Sequence, residues 1–219
     1  GSATGDYSVP LGRNGTASGD YSLAAGNATV ASGNRSFAEG DGSTASGYSA
    51  HCEGITTEAQ GQASHTEGRG SIAKNRSQHV FGEYNTPDPS GSSASVKGTY
   101  IEIVGKGSSD TNRSNARTLD WSGNETIAGS LTQSSDANLK NVSSEPIPDV
   151  SGVKAVRFTW KEDVNRDDSE HVGYLAQDVE KVLPFLVKED AEGNKVLDYI
   201  AFLVAKVDSL EKRIAELEK

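Results

Sequence analysis

The chain has no methionine, one cysteine, two tryptophans and few large apolar residues of any kind, and each shortage closes off a class of protein. A lone Cys52 rules out an intrachain disulfide framework and any zinc site built from several cysteines. Lys and Arg are never clustered and the net charge is -10, so the phosphate neutralisation that nucleic acid requires is missing and no nucleic-acid partner is expected. No apolar run is long enough for a bilayer and no charged-then-apolar leader is present, so no membrane partner is expected. With 34% apolar residues over 219 positions, one core extending through the whole chain is excluded, leaving disorder or repeating turns. The opening Gly1-Ser2 with no methionine predicts a fragment of something longer. Asn-x-Ser/Thr triplets at Asn14, Asn27 and Asn124 are what chance supplies in a chain so rich in these residues.

What is abundant is glycine, and it is periodic. Rows of fourteen from Tyr7 bring Gly12, Gly26, Gly40, Gly54, Gly68 and Gly82 into one column without a gap. A second column holds Gly19, Gly33, Gly47 and Gly61, followed by Asn75, and a third holds Ala17, Ala31, Ala45, Ala59 and Ala73 up to Pro87. This spacing predicts two short strands per row, each ended by a turn needing a left-handed residue, wound as a solenoid of parallel strands. Pro10, Ala24, Ala38, Cys52, Thr66 and Val80 are compact and are expected inside. Val9, Leu23, Phe37, His51, His65 and His79, with Leu11, Ala25, Glu39, Glu53, Glu67 and Phe81 two places on, form a second face. That face suits a subunit interface about a symmetry axis.

Segments such as Tyr21-Ser-Leu-Ala-Ala-Gly-Asn-Ala-Thr-Val-Ala-Ser-Gly-Asn34 resemble the head repeats of trimeric autotransporter adhesins. The resemblance covers roughly residues 7 to 90 and implies a left-handed parallel β-roll assembled as a homotrimer. Ser64 to Gly68 departs from the usual apolar pair, in a way also found in phage tail proteins. The ladder His51, His65 and His79 offers imidazoles for a metal. The reading adopted from the sequence is polar His/Glu packing across an interface, with no metal and no cofactor.

From Asn85 to Gly91 the repeat gives way to a Pro, Ser and Gly linker. Tyr100 to Val104, Ala116 to Asn124 and Glu125 to Leu131 then read as strands closed by turns, expected to wrap with copies from other subunits. The run Asp110 to Asn124 is similar to stretches preceding the C-terminal domain of phage tail fibres. Past Gln133, glycine thins out and helical periodicity begins. Val153 to Trp160 is expected as a strand and Asn165 to Glu170 as a polar loop. His171 to Leu183 is expected to pass from strand to amphipathic helix, burying Leu175, Val179 and Val182 and stopping at Pro184. Short β runs are expected at Phe185 to Val187 and Lys195 to Leu197. Ile200, Leu203, Val207, Leu210, Ile214 and Leu217 then fall at alternating steps of three and four, a coiled-coil seam.

Ser135-Asp-Ala-Asn-Leu-Lys140, Val156-Arg-Phe-Thr-Trp-Lys161, Val172 to Pro184, Leu197-Asp-Tyr199 and the final seam together resemble the peptidase S74 family, the C-terminal intramolecular chaperones of phage tail spikes, fibres and endosialidases. The resemblance implies self-cleavage before the serine of the Ser-Asp pair. The serine and the lysine five residues on, here Ser135 and Lys140, would act as the catalytic dyad at a scissile bond between Ser134 and Ser135. A lysine serves as base only where burial or a nearby cation depresses its pKa, which a folded trimer can provide. Asp136 is expected to orient the turn or cap the structure after it, and His171 and Trp160 to be structural.

The sequence therefore predicts a mostly β fold with a C-terminal α+β module. Residues 1–90 form the trimeric left-handed parallel β-roll, 91–134 an intertwined β stalk, and 135–219 the self-cleaving chaperone ending in a coiled coil. The expected role is a fibre of a phage virion tail, assembled in the bacterial host cytoplasm, with a single-turnover serine endopeptidase and a host receptor or glycan as a possible partner. The alternative is a bacterial adhesin-like fibre without processing. A glycan depolymerase is disfavoured because residues 1 to 134 hold no evident paired carboxylates.

Overall fold

The computed structural model describes residues 1–91, 93–164 and 168–219, which form two compact units, Gly1–Thr132 and Gln133–Lys219. The first is a β-solenoid of about six turns flanked by two sheets. One sheet stacks the two-residue strands Ser2–Ala3, Thr16–Ala17, Val30–Ala31, Thr44–Ala45, Glu58–Ala59 and Ile72–Ala73. The other stacks Val9–Arg13, Leu23–Asn27, Phe37–Asp41, His51–Cys52, His65–Thr66 and His79–Glu83. All these pairs are parallel and each residue sits on the residue fourteen before it, as in Leu23 on Val9 and His65 on His51. The interior between the sheets takes only small side chains. Ala17, Ala31, Ala45, Ala59 and Ala73 from one sheet and Ala24, Ala38, Cys52, Thr66 and Val80 from the other are fully buried. So thin a core buries little apolar area per residue, and the turn-to-turn hydrogen bonds carry much of the cohesion.

The two glycine columns do different jobs, which corrects the expectation that both supply left-handed turns. Gly12, Gly26, Gly40, Gly54, Gly68 and Gly82 do have positive φ, between 91° and 122°, and a Cβ on any of them would also run into a main-chain carbonyl of the next strand. Gly19, Gly33, Gly47 and Gly61 do not; a Cβ on any of them would run into the main-chain carbonyl of the next turn, so the requirement there is close approach. The left-handed residues lie two places after each column, at Tyr21, Arg35, Ser49, Ala63 and Ser77 and at Ala28, Gly42, Thr56, Gly70 and Tyr84, with φ from 40° to 66°. Each donates its amide to a carbonyl of the preceding turn, as Arg35 N does to Asp20 O at 2.7 Å, which offsets the steric cost of the conformation.

The strands after the linker continue the solenoid's own sheet. Tyr100–Lys106 pairs parallel with His79–Glu83, Asn115–Asp120 pairs antiparallel with Tyr100–Lys106, and Glu125–Ile127 pairs with Asn115–Asp120. Ile103 is buried with Ala73 and Val80, so this segment shares a core with the last turn. The final strand stops at Ile127, short of the expected Leu131. The linker itself is anchored by buried polar side chains. In earlier turns an amide of the first sheet donates to a main-chain carbonyl of the next turn, as Glu58 N does to Ser71 O. At Ile72 the side chain of Asn85 takes over: its Oδ1 accepts from Ile72 N at 2.8 Å and its Nδ2 donates to Ile72 O at 3.1 Å. Asp88 accepts from Ser90 N, Ser90 Oγ and Tyr100 N.

In the second unit, Val156–Phe158 and His171–Gly173 form an antiparallel pair, shorter than the strand expected from Val153 to Trp160. Residues 165–167 of the expected polar loop lie outside the described residues. Helix α1 spans Ala176–Glu180, a turn Pro184–Leu186 follows, and Val187–Glu189 pairs with Lys195–Leu197 around Asp190, which accepts from Asn194 N. Helix α2 spans Tyr199–Leu217; Asp198 caps it by accepting from Ala201 N at 3.0 Å. The core is Val150, Val153, Val179, Leu183, Phe202 and Ala205. Leu175, expected inside, is exposed, because it precedes the first turn of a helix shorter than its pattern suggested. Ile200, Leu203, Val207, Leu210, Ile214 and Leu217 are all exposed along α2, which docks through the opposite face with Phe202, Ala205 and Ser209.

Candidate functional site

The stretch 131–149 is exposed throughout, and the candidate dyad lies inside it. Asp136 starts a single tight turn, Ala137–Leu139; its backbone is extended and its carboxylate accepts from Asn138 N at 2.8 Å, an arrangement typical of a capping Asp. Lys140 closes the turn by donating its amide to Ala137 O. That reversal lets a lysine five residues away reach back, and Lys140 Nζ lies 2.7 Å from Ser135 Oγ. Ser134, expected on the other side of the cut, is the adjacent residue in the chain and is exposed. Within one chain the pair is open to water, and the neighbouring apolar side chains Leu139 and Val142 are 74% and 83% exposed. A hydroxyl hydrogen-bonded to an amine is the geometry from which proton abstraction and acyl attack proceed, once the amine is neutral and water is kept out.

A second lysine, which the sequence places beside the coiled-coil seam, behaves differently. Lys206 of α2 donates to Val150 O at 2.7 Å and Val153 O at 2.6 Å, and burial together with the Lys154 charge pushes its pKa down. Its partners are main-chain carbonyls, so it pins residues 150–153 to the helix. Phe158, Trp160 and His171 cluster ring against ring, with Phe158 and His171 stacked at 5.4 Å.

On the solenoid, the parallel register stacks the candidate histidines. Ring centroids are 4.8 Å apart for Phe37 and His51, 4.7 Å for His51 and His65, and 5.0 Å for His65 and His79. Beside them runs a carboxylate ladder, Glu39, Glu53 and Glu67, lining an open groove of about 540 Å³ that ends at Phe81. His51 Nε2 is 3.9 Å from Glu39 and His79 Nε2 is 3.7 Å from Glu67. Stacked carboxyls at this spacing disfavour full ionisation. A hydrogen bond with Glu53, then burial and the Glu53 charge, raise the pKa of Glu39; the same hydrogen bond lowers that of Glu53. Burial first, then the charges of His51 and His79, lower the pKa of His65.

Among the described residues no helix is long and apolar enough to cross a membrane. No curated protein matches the chain. Residues 135–188 match the peptidase S74 family model, described as chaperone of endosialidase, and this match supports an S74 chaperone domain in the C-terminal unit, with the autocatalytic serine peptidase activity that the family implies.

Proposed function

We propose that this chain is part of a trimeric phage tail fibre whose C-terminal domain drives trimerisation and folding and then releases itself by cutting between Ser134 and Ser135. The observation that carries the reading is the 2.7 Å approach of Lys140 Nζ to Ser135 Oγ, at the first residue of the matched stretch. The exposed seam of α2, from Ile200 to Leu217, supports association, since a stripe of that spacing is buried when helices pair or form trimers. The half-exposed Phe37, His51, His65 and His79 face supports a threefold contact along the solenoid. Assembly would cover Leu139 and Val142 and dry the dyad, making cleavage a report of completed folding.

The chemistry runs as an acyl shift. Neutral Lys140 takes the Ser135 hydroxyl proton while Oγ attacks the Ser134 carbonyl carbon. The tetrahedral oxyanion collapses, the C–N bond breaks, and the Lys140 ammonium returns the proton to the Ser135 nitrogen. The resulting ester is hydrolysed by water, leaving a Ser134 carboxylate and a free Ser135 N-terminus with its hydroxyl restored. The stacked and exposed Tyr7 and Tyr21, 5.2 Å apart, supply a surface for a host receptor or glycan.

The test compares the full chain with Ser135→Ala and Lys140→Gln forms on denaturing gels, with light scattering for mass. The expected result is two fragments from the parent, one band from each variant, and a trimer in all three. A trimeric parent that stays whole would overturn the proteolysis, and a monomeric parent would overturn the assembly.

A further inference from the structure

The carboxylate and imidazole ladders meet in two sets of three. One ligand atom each from Glu39, His51 and Glu53 lie within 4.8 Å of one another, and the same holds for Glu53, His65 and Glu67. The sets arise from the repeat itself: the fourteen-residue step places each Glu two residues after its turn's stacking position, and the next turn's His comes to rest against it. They are confined to the middle turns of the repeat. One turn before Glu39 the position is Ala25, and one turn after Glu67 it is Phe81, so His79 has one carboxylate neighbour in place of two. An independent sign comes from the imidazoles. The Nε2 atoms of His51, His65 and His79 are shut off from solvent and have no hydrogen-bond partner among the described residues. A shielded ring nitrogen left unpaired costs free energy unless something binds it.

We propose that this groove binds one divalent transition-metal ion of the zinc type per chain, held by Glu53 with either Glu39 and His51 or His65 and Glu67. An imidazole nitrogen with two carboxylate oxygens suits zinc and its neighbours, whereas calcium and magnesium take oxygen throughout. One ion is bound at a time because Glu53 belongs to both sets. Two dications one strand step apart, about 4.8 Å, would repel strongly over three carboxylates. The ion neutralises the stacked acids and gives an imidazole its partner, while water completes the coordination shell. Every ligand comes from a single chain of the first unit, so the site does not depend on cleavage.

The experiment is calorimetric titration of zinc chloride into the tag-free full chain, with cobalt chloride absorption spectra as a second readout of a nitrogen- and oxygen-ligated ion. The parent should bind about one zinc per chain; Glu53→Gln, which strikes both sets, should weaken binding at least about tenfold. Glu39→Gln and Glu67→Gln should each cost only about twofold, the loss of one of two equivalent seats, while the double variant should fall to the level of Glu53→Gln. His171→Ala, in the other unit, should bind as the parent does. Circular dichroism verifies that each variant is folded, and the double variant decides the matter if Glu53→Gln is not. No heat and no cobalt band from the parent would overturn the site, as would equal binding by the parent and the folded Glu53→Gln or double variant.

Discussion

Replacing Asn85 with alanine should unfasten the last turn of the solenoid ahead of the rest. Asn85 is fully buried, and its amide is the end piece of a ladder that elsewhere runs through main-chain carbonyls. Asn85→Ala leaves Ile72 N without an acceptor and Ile72 O without a donor. Each unmade bond costs about 1–3 kcal/mol, and because Ile72 is only half-buried the lower end applies, giving about 2–4 kcal/mol for the pair. For a unit of this size roughly 3 °C of melting temperature accompanies each kcal/mol, so a fall of about 6–12 °C is expected. Asn85→Asp adds a sign test: at neutral pH it keeps an acceptor for Ile72 N but turns a carboxylate on Ile72 O. It should therefore be poorer than asparagine at neutral pH and recover on acidification, starting above the free carboxyl value because burial favours the protonated acid, which can donate. Thermal melting and hydrogen exchange read by mass spectrometry measure both, since turns in such arrays fray from the end inward. An alanine variant melting within about 1 °C of the parent, with unchanged protection at Ile72, would refute the reasoning.

Two further outcomes concern buried groups. Burial pushes the Cys52 thiol up to about 12, so it should resist thiol-specific reagents at pH 8 in the folded chain and react fully in denaturant; rapid labelling without denaturant would contradict the burial. For Asp88, burial raises the carboxyl pKa, but hydrogen bonds from Ser90, Tyr100 and Thr99 outweigh it and hold it below the ordinary 3.8. A depressed carboxylate stabilises fully above its unfolded value and loses that contribution as pH falls through its folded one. The stability gap between the parent and Asp88→Asn should therefore be open at neutral pH and close as pH falls below the ordinary carboxyl value; a gap that widens on acidification would reverse the assignment.

The solenoid was legible because its constraints repeat. A steric requirement imposed once per turn writes itself into the sequence as a column, and the alanine and glycine columns mark the interior and the turns. Which constraint a glycine answers was not legible: positive φ with close approach at Gly26, and close approach alone at Gly33, leave the same letter. Asn85 escaped notice for the opposite reason. It falls in the buried column of Thr29, Ser43, Thr57 and Ser71, but its task occurs once, and a single event has no period. In the second unit the spacing from Ile200 to Leu217 marked the exposed stripe of α2, while the docking face through Phe202, Ala205 and Ser209 is too short and mixed to stand out. The 2.7 Å reach of Lys140 to Ser135 depends on one reversed turn, and the Asp136 side chain that shapes it was the local clue.

One left-handed column of the solenoid has a consequence for what such a coil can advertise. Tyr7, Tyr21, Arg35, Ser49, Ala63 and Ser77 are all exposed, and from Tyr21 onward their backbone amides join the turns, the Tyr7–Tyr21 ring stack being an added side-chain contact. From Arg35 onward the side-chain chemistry at these places is thus uncoupled from the hydrogen bonds that join the turns, and the solenoid carries a rail of interchangeable fittings spaced one strand apart, about 4.8 Å. A lineage could redecorate that rail freely while leaving the interior that shapes the coil untouched.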